Sequence, residues 1–181
     1  QAVDFIRTAS LAGDSRLAAT ITPHHLHLNR NAMFMGGLRS DFYCLPVVKR
    51  ECHLRALVKA ATSGLSCFFL GTDSAPHPRS GKESACGCAG IFNAVHALES
   101  YAAVFEQEGA LEHLQGFASE HGPQFYGLPL NDDTITLVRK QQSVPSCLDP
   151  ADAVATADDS LEESEWPALF HAGETLSWCV A

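Results

Sequence analysis

Residues 67–73 read CFFLGTD: four apolar or weakly polar side chains, then Gly71, Thr72 and a carboxylate. A short, wholly apolar run introduced by the turn signal Ser63-Gly64 is the signature of a buried strand. A carboxylate at the tip of such a strand must be solvated, paired or bound to a metal, because an isolated buried charge is too costly to keep. Asp73 also reads as part of an ordinary Asp-Ser turn, since aspartate satisfies turn backbones with its own side chain. Just beyond it, Pro76 and Pro78 stiffen the loop around His77, and Arg79 and Lys82 add positive charge.

The rest of the chain alternates between helical and extended patterns. The opening AVDFIRTASL spaces its apolar residues as an amphipathic helix. Residues 17–22 (LAATIT) read as a strand that stops at Pro23, and 43–48 (YCLPVV) as an extended segment that Pro46 keeps from being a regular central strand. Residues 51–62 form a helix with Leu54, Leu57, Val58 and Ala61 on one face. Helices are also expected over 91–107, 111–120 and 133–141, with Asn131 or Asp132 as the N-cap of the last. Residues 149–165, rich in Asp, Glu, Ala and Ser, read as a solvated, mobile connection. The tail 169–180 regains apolar character and is expected to pack back on the body. There is no internal repeat.

Strands alternating with helices imply a parallel α/β arrangement, in which the C-terminal ends of strands carry the chemistry. Both TPHH and GTDSAPH follow strands and fit that rule. A complete eight-stranded barrel takes ~250 residues, whereas this chain has 181 and two or three strand candidates. It is therefore either a small open α/β domain or part of a larger barrel.

Charge and cysteine content narrow the function classes. A formal charge of −9 argues against a general nucleic-acid binder, which needs a basic face. No apolar run approaches the ~20 residues that span a bilayer. The seven cysteines are odd in number and irregularly spaced, which points to a reducing compartment. Cys44, Cys52 and Cys67 are expected to be small buried hydrophobes. Cys86-Gly87-Cys88 has no second pair at zinc-site spacing. His25 and His27 are two apart, like a metal-binding His-x-His pair, but packing or loop hydrogen bonding is the expected role. His96, His113 and His121 read as structural or solvent-facing.

Five segments in order, TITPHHLHLNRN, YCLPVVKR, FLGTDSAPHPRSGKESACGCAGIFNA, HGPQFYGLPLND and AGETLSW, resemble dihydroorotases of the single-function bacterial type, in the amidohydrolase superfamily. The likeness covers nearly the whole chain except 149–165. It implies that residues 1–181 form roughly the C-terminal half of such an enzyme, the later portion of a (β/α)8 TIM barrel left incomplete in this chain. The implied reaction is the reversible cyclisation of N-carbamoyl-L-aspartate to L-dihydroorotate in pyrimidine biosynthesis, run on a two-zinc centre. Asp73 would bind metal and move the proton, His77 would hold the substrate carboxylate, and backbone groups at Leu45 and Ala89 would bond the ring. The resemblance further implies a homodimer in the cytoplasm, or an organelle interior, acting on a small molecule without nucleic acid or membrane.

The family's His-x-His pair, carboxylated lysine and two further histidine ligands would all lie upstream of Gln1, as would its substrate-closing loop and a carboxylate-gripping arginine. Asp73 is the one ligand carried over, so this chain by itself is expected to be inactive. Two readings of function stay open: part of a dihydroorotase, or a truncated, non-catalytic subunit kept for structure or assembly. Another cyclic-amide hydrolase, such as a hydantoinase, is a weaker third.

Overall fold

The computed structural model describes residues 1–148 and 166–181. The acidic run 149–165, read from sequence as a connection, lies outside the described residues. The first helix, α1 (Ala2–Leu11), matches the expected amphipathic segment, yet none of its residues is buried. β1 (Ala19–Ile21) and β2 (Phe68–Leu70) pair in parallel, with Ala19 opposite Phe68 and Ile21 opposite Leu70. Between them run a single helical turn, α2 (His24–His27), and the helix α3 (Glu51–Ala61). This is a βαβ crossover of the expected kind.

The two strands approach closely where they end. A side chain at Gly71 would place its Cβ 2.6 Å from the Cβ of Thr20, so only glycine lets the chain leave β2 beside β1. Leu54, Val58 and Ala61 of α3 are buried, as the helical spacing anticipated, and they pack with Ile21, Phe68, Tyr101, Phe105 and Phe117 in the main core. Tyr101 and Phe105 lie on α5 (Ala97–Gln107) and are wholly buried. The Tyr101 hydroxyl donates to the carbonyl of Ile21 at 2.6 Å, tying α5 to the end of β1.

Two of the expected helices differ in the structure. The helix expected over 91–107 begins as a helix only at Ala97, after a 3-10 turn at Ala94–His96. Ile91 and Phe92 instead make parallel bridges to Ser74 and Leu169, a third layer of extended chain beside the sheet. Residues 111–120 are helical as expected, entering through a 3-10 turn at Leu111–His113 and continuing through a π-type turn at Gly116–Glu120 into α6 (His121–Tyr126). Most sharply, the helix expected over 133–141 does not form. β3 (Leu137–Ser143) is a strand, paired antiparallel with β4 (Thr175–Val180).

The tail does pack back on the body, as expected. The β3–β4 pair lies against α5: Trp178 donates its indole N–H to Glu106 at 2.9 Å, and Arg139 pairs with the same carboxylate. The short connecting turn α4 (Arg79–Lys82) follows the Asp73 loop. Among the described residues there is no closed barrel. No helix of the described residues is long and apolar enough to cross a membrane.

Candidate active site

β1 and β2 run parallel, so the segments that follow them emerge at the same end. His25 on α2 and Asp73 after β2 are therefore neighbours, and the Asp73 charge acts on the His25 ring. Burial is the larger influence and pulls the His25 pKa below its usual value, with Lys49 acting in the same sense and Asp73 opposing.

Asp73 is exposed and takes φ 44°, a left-handed backbone that aspartate tolerates better than most residues. Its neighbours hold it there. The Thr72 carbonyl accepts from the Asn93 amide at 2.9 Å, and Ser74 bridges to Ile91. The Ser74 hydroxyl oxygen in turn accepts the backbone N–H groups of Asn93 and Ala94, both at 3.1 Å, and so caps the turn that leads to α5. The carboxylate is thus presented at a strand tip on a backbone anchored from both sides.

His77, in the same loop, donates Nε2–H to the carbonyl of Ala89 at 3.2 Å. A carbonyl only accepts, so this contact fixes the proton on Nε2. Gly90 lies directly behind the pair: a Cβ there would fall 2.5 Å from the Cβ of Ala75 and 2.8 Å from His77 Cδ2. The Gly90 N–H donates to the Tyr43 carbonyl at 3.0 Å, which brings the segment carrying Leu45 alongside the segment carrying Ala89. The Leu45 side chain is 67% exposed. His77, Ala89 and the 43–45 segment, far apart in sequence, thus share one hydrogen-bonded unit.

Lys82, expected from sequence as a loop charge near Asp73, is placed differently. It is buried, and its Nζ donates to the carbonyls of Tyr43 at 3.1 Å, Cys88 at 3.1 Å and Gly90 at 2.6 Å. Cys52, expected to be buried, is exposed, while Cys44 and Cys67 are buried as expected.

The histidines expected to pack or to bond the loops do so. Asn93 donates to His24 Nδ1 at 2.9 Å, which leaves the ring proton on Nε2, 3.3 Å from the Thr22 hydroxyl. Burial, with a smaller contribution from His25, holds the His24 pKa down at about 3. A second network was not legible in sequence. His171 lies 2.6 Å from Glu174 through Nδ1 and 3.1 Å from the Ser100 hydroxyl through Nε2, and His27 Nε2 meets that hydroxyl at 2.9 Å. His27, His171 and Glu174 line a cleft of about 350 Å³. Ser100 is wholly buried beneath them, so its hydroxyl is out of reach of a substrate.

Among the described residues one group of three metal-ligand types comes together: His24, His25 and Cys44, with donor atoms within 4.8 Å of one another. It includes neither Asp73 nor the His25/His27 pair. Both ring nitrogens of His24 are occupied by Asn93 and Thr22, so that ring is held as a structural element. The described residues therefore supply Asp73 as a single exposed carboxylate and do not fit a two-metal centre by themselves.

Over all 181 residues the chain is 62% identical to the dihydroorotase of Synechococcus sp. strain RCC307, and 61% identical to that of strain CC9605. The chain matches a portion of dihydroorotase. It spans about half the length of the curated relatives it matches, 47% and 46% for these two. Dihydroorotase is also what its structure resembles. A crystal structure of the Saccharomyces cerevisiae dihydroorotase in complex with 5-fluoroorotic acid superposes with a TM-score of 0.82 at 34% identity, over 99% of this chain and 48% of that one. The Campylobacter jejuni dihydroorotase gives a TM-score of 0.73 at 31% identity, over 91% of this chain and 45% of that one. A Thermus hydantoinase, 13% identical with a TM-score of 0.68, shares the fold alone. No family model matches the chain. Dihydroorotases are cyclic amidohydrolases with a TIM-barrel fold, and the chain corresponds to about half of such a barrel.

Proposed function

We propose that the chain contributes the Asp73-bearing part of a dihydroorotase that interconverts N-carbamoyl-L-aspartate and L-dihydroorotate. The observation that carries this reading is the placement of Asp73 at the C-terminal tip of β2, on the same loop as the His77–Ala89 contact. The identity of 62% over the whole chain supports the substrate assignment.

In the ring-opening direction water forms a C–O bond at the ring carbonyl and the C–N bond breaks. Asp73 accepts the proton from the attacking oxygen and returns it to the leaving nitrogen, so one carboxylate serves both half-steps. His77 would hold the substrate carboxylate, and the backbone at Leu45 and Ala89 would hold the ring. A two-zinc centre would take Asp73 as one ligand and draw the others from outside the described residues. The enzyme would act as a homodimer in the cytoplasm or an organelle interior. The charge of −9 argues against a nucleic-acid partner.

The experiment is a dihydroorotate ring-opening assay on the full-length protein that contains this chain, with zinc supplied. Zinc-dependent turnover that Asp73→Asn abolishes is the expected result. A zinc-loaded, folded protein without turnover would favour the non-catalytic subunit instead.

A further inference from the structure

Lys82 is placed where a lysine is costly. It is 8% exposed, and among the described residues no carboxylate forms an ion pair with its ammonium, which meets backbone carbonyls instead. An ammonium has three N–H donors and no acceptor, and the carbonyls of Tyr43, Cys88 and Gly90 engage all three. Burial accordingly pulls its pKa below the ordinary lysine value, with Asp41 the largest opposing influence.

The three acceptors are not scattered. Two of them, Cys88 and Gly90, flank Ala89, and the third is two residues before Leu45. Drawing the 88 and 90 carbonyls onto Nζ leaves the intervening Ala89 carbonyl directed to the other side, where His77 donates to it. The Tyr43 carbonyl receives both Lys82 Nζ and Gly90 N–H, so the two strips of backbone are locked to each other through one atom.

We propose that Lys82 is a positioning residue, whose buried ammonium sets the relative placement of the Leu45 and Ala89 backbone groups and the orientation of His77. The inference rests on the reading that those groups bind the substrate. Lys82 does not touch substrate, because its three donors are consumed by the protein. Its loss should therefore act on substrate binding far more than on the proton transfer at Asp73.

The test uses the full-length protein. Lys82→Met and Lys82→Gln remove the ammonium while keeping much of the stem, and each is assayed for dihydroorotate ring opening and for hydrogen exchange at the Gly90 amide. The expected result is a KM raised about tenfold or more, the equivalent of one or two well-placed hydrogen bonds. The kcat should stay within about threefold and the zinc content unchanged, with faster exchange at Gly90. Unchanged KM, or a loss confined to kcat, overturns the proposal. Should neither variant fold, Lys82→Arg decides, since it keeps the charge but cannot set three N–H groups at tetrahedral positions. Raised KM with faster Gly90 exchange then supports the clamp, and wild-type values for both overturn it. If the unmodified protein lacks turnover, the functional reading fails separately. The clamp is then judged by Gly90 exchange alone, and unchanged exchange in the variants overturns it.

Discussion

Asp73 combines an exposed carboxylate with a left-handed backbone, and a substitution there must separate the two. Asparagine tolerates the same backbone and nearly the same shape, so Asp73→Asn removes charge and basicity without adding strain. The folded protein should keep its stability within about 0.5 kcal/mol. Its kcat should fall about 10²–10⁴-fold, the usual contribution of a general acid–base group. Near-normal turnover with zinc content unchanged would refute the assigned role. His77→Ala removes the contact to Ala89 and should chiefly raise KM for dihydroorotate. Gly90→Ala offers an independent probe of the same unit. Its methyl group would press on Ala75 and His77, costing about 1–3 kcal/mol in chemical denaturation and raising KM in parallel. A Gly90→Ala protein with wild-type stability and KM would show that His77 can yield without consequence.

Elements were legible where their partners are local. The α3 face of Leu54, Val58 and Ala61 follows from helical spacing alone, and the apolar run of β2 ends at the turn residues Gly71-Thr72-Asp73. β3 was misread because its pairing partner, β4, lies across the acidic run in sequence. Leu137 and Val138 are only half-buried, and the polar Arg139–Gln142 stretch carries no strand period, so local propensity could not compete with a non-local ladder. Lys82, a charged residue in a glycine-rich loop, gave no sign of burial, because its acceptors are backbone carbonyls that sequence does not display.

Phe105 of α5 is wholly buried in the main core, so Phe105→Ala should cost about 3–5 kcal/mol in denaturant unfolding. A loss under about 1 kcal/mol would mean that the core is not packed as described. His24, on α2, is 3% exposed and resists protonation down to about pH 3. In the unfolded chain it takes a proton near pH 6.5. Below that pH the unfolded state binds more protons than the folded state, so stability falls as pH falls. The slope is about 1.4 kcal/mol per pH unit for this residue. The window from about pH 6.5 to 5 lies above the ordinary carboxylate range; burial also lowers the pKa values of His25, His27 and His171, which add to the slope there, so the His24 share is read as a difference between proteins. Denaturation across it should show a shallower slope for His24→Gln than for the unmodified protein, and equal slopes would contradict the buried, neutral ring.

At the scale of the whole molecule, the described residues leave much apolar surface uncovered. None of α1 is buried, and Phe5, Leu11, Phe34, Met35 and Leu38 are each 65% exposed or more. Apolar patches of this kind mark surfaces that other protein covers. The chemistry is incomplete in the same way, because Asp73 has no second and third ligand beside it among the described residues. Residues 1–181 produced alone should therefore bind zinc at well under two ions per chain, show no ring-opening activity, and self-associate. Metal analysis, a dihydroorotate assay with added zinc and light scattering on the purified polypeptide would test all three together. A monodisperse monomer with robust zinc-dependent turnover would show that these residues assemble a complete centre after all. Adding the remainder of the full-length protein as a separate polypeptide should restore both solubility and turnover if the uncovered faces are barrel interfaces. Restored solubility without turnover would instead explain the apolar faces and favour the non-catalytic subunit.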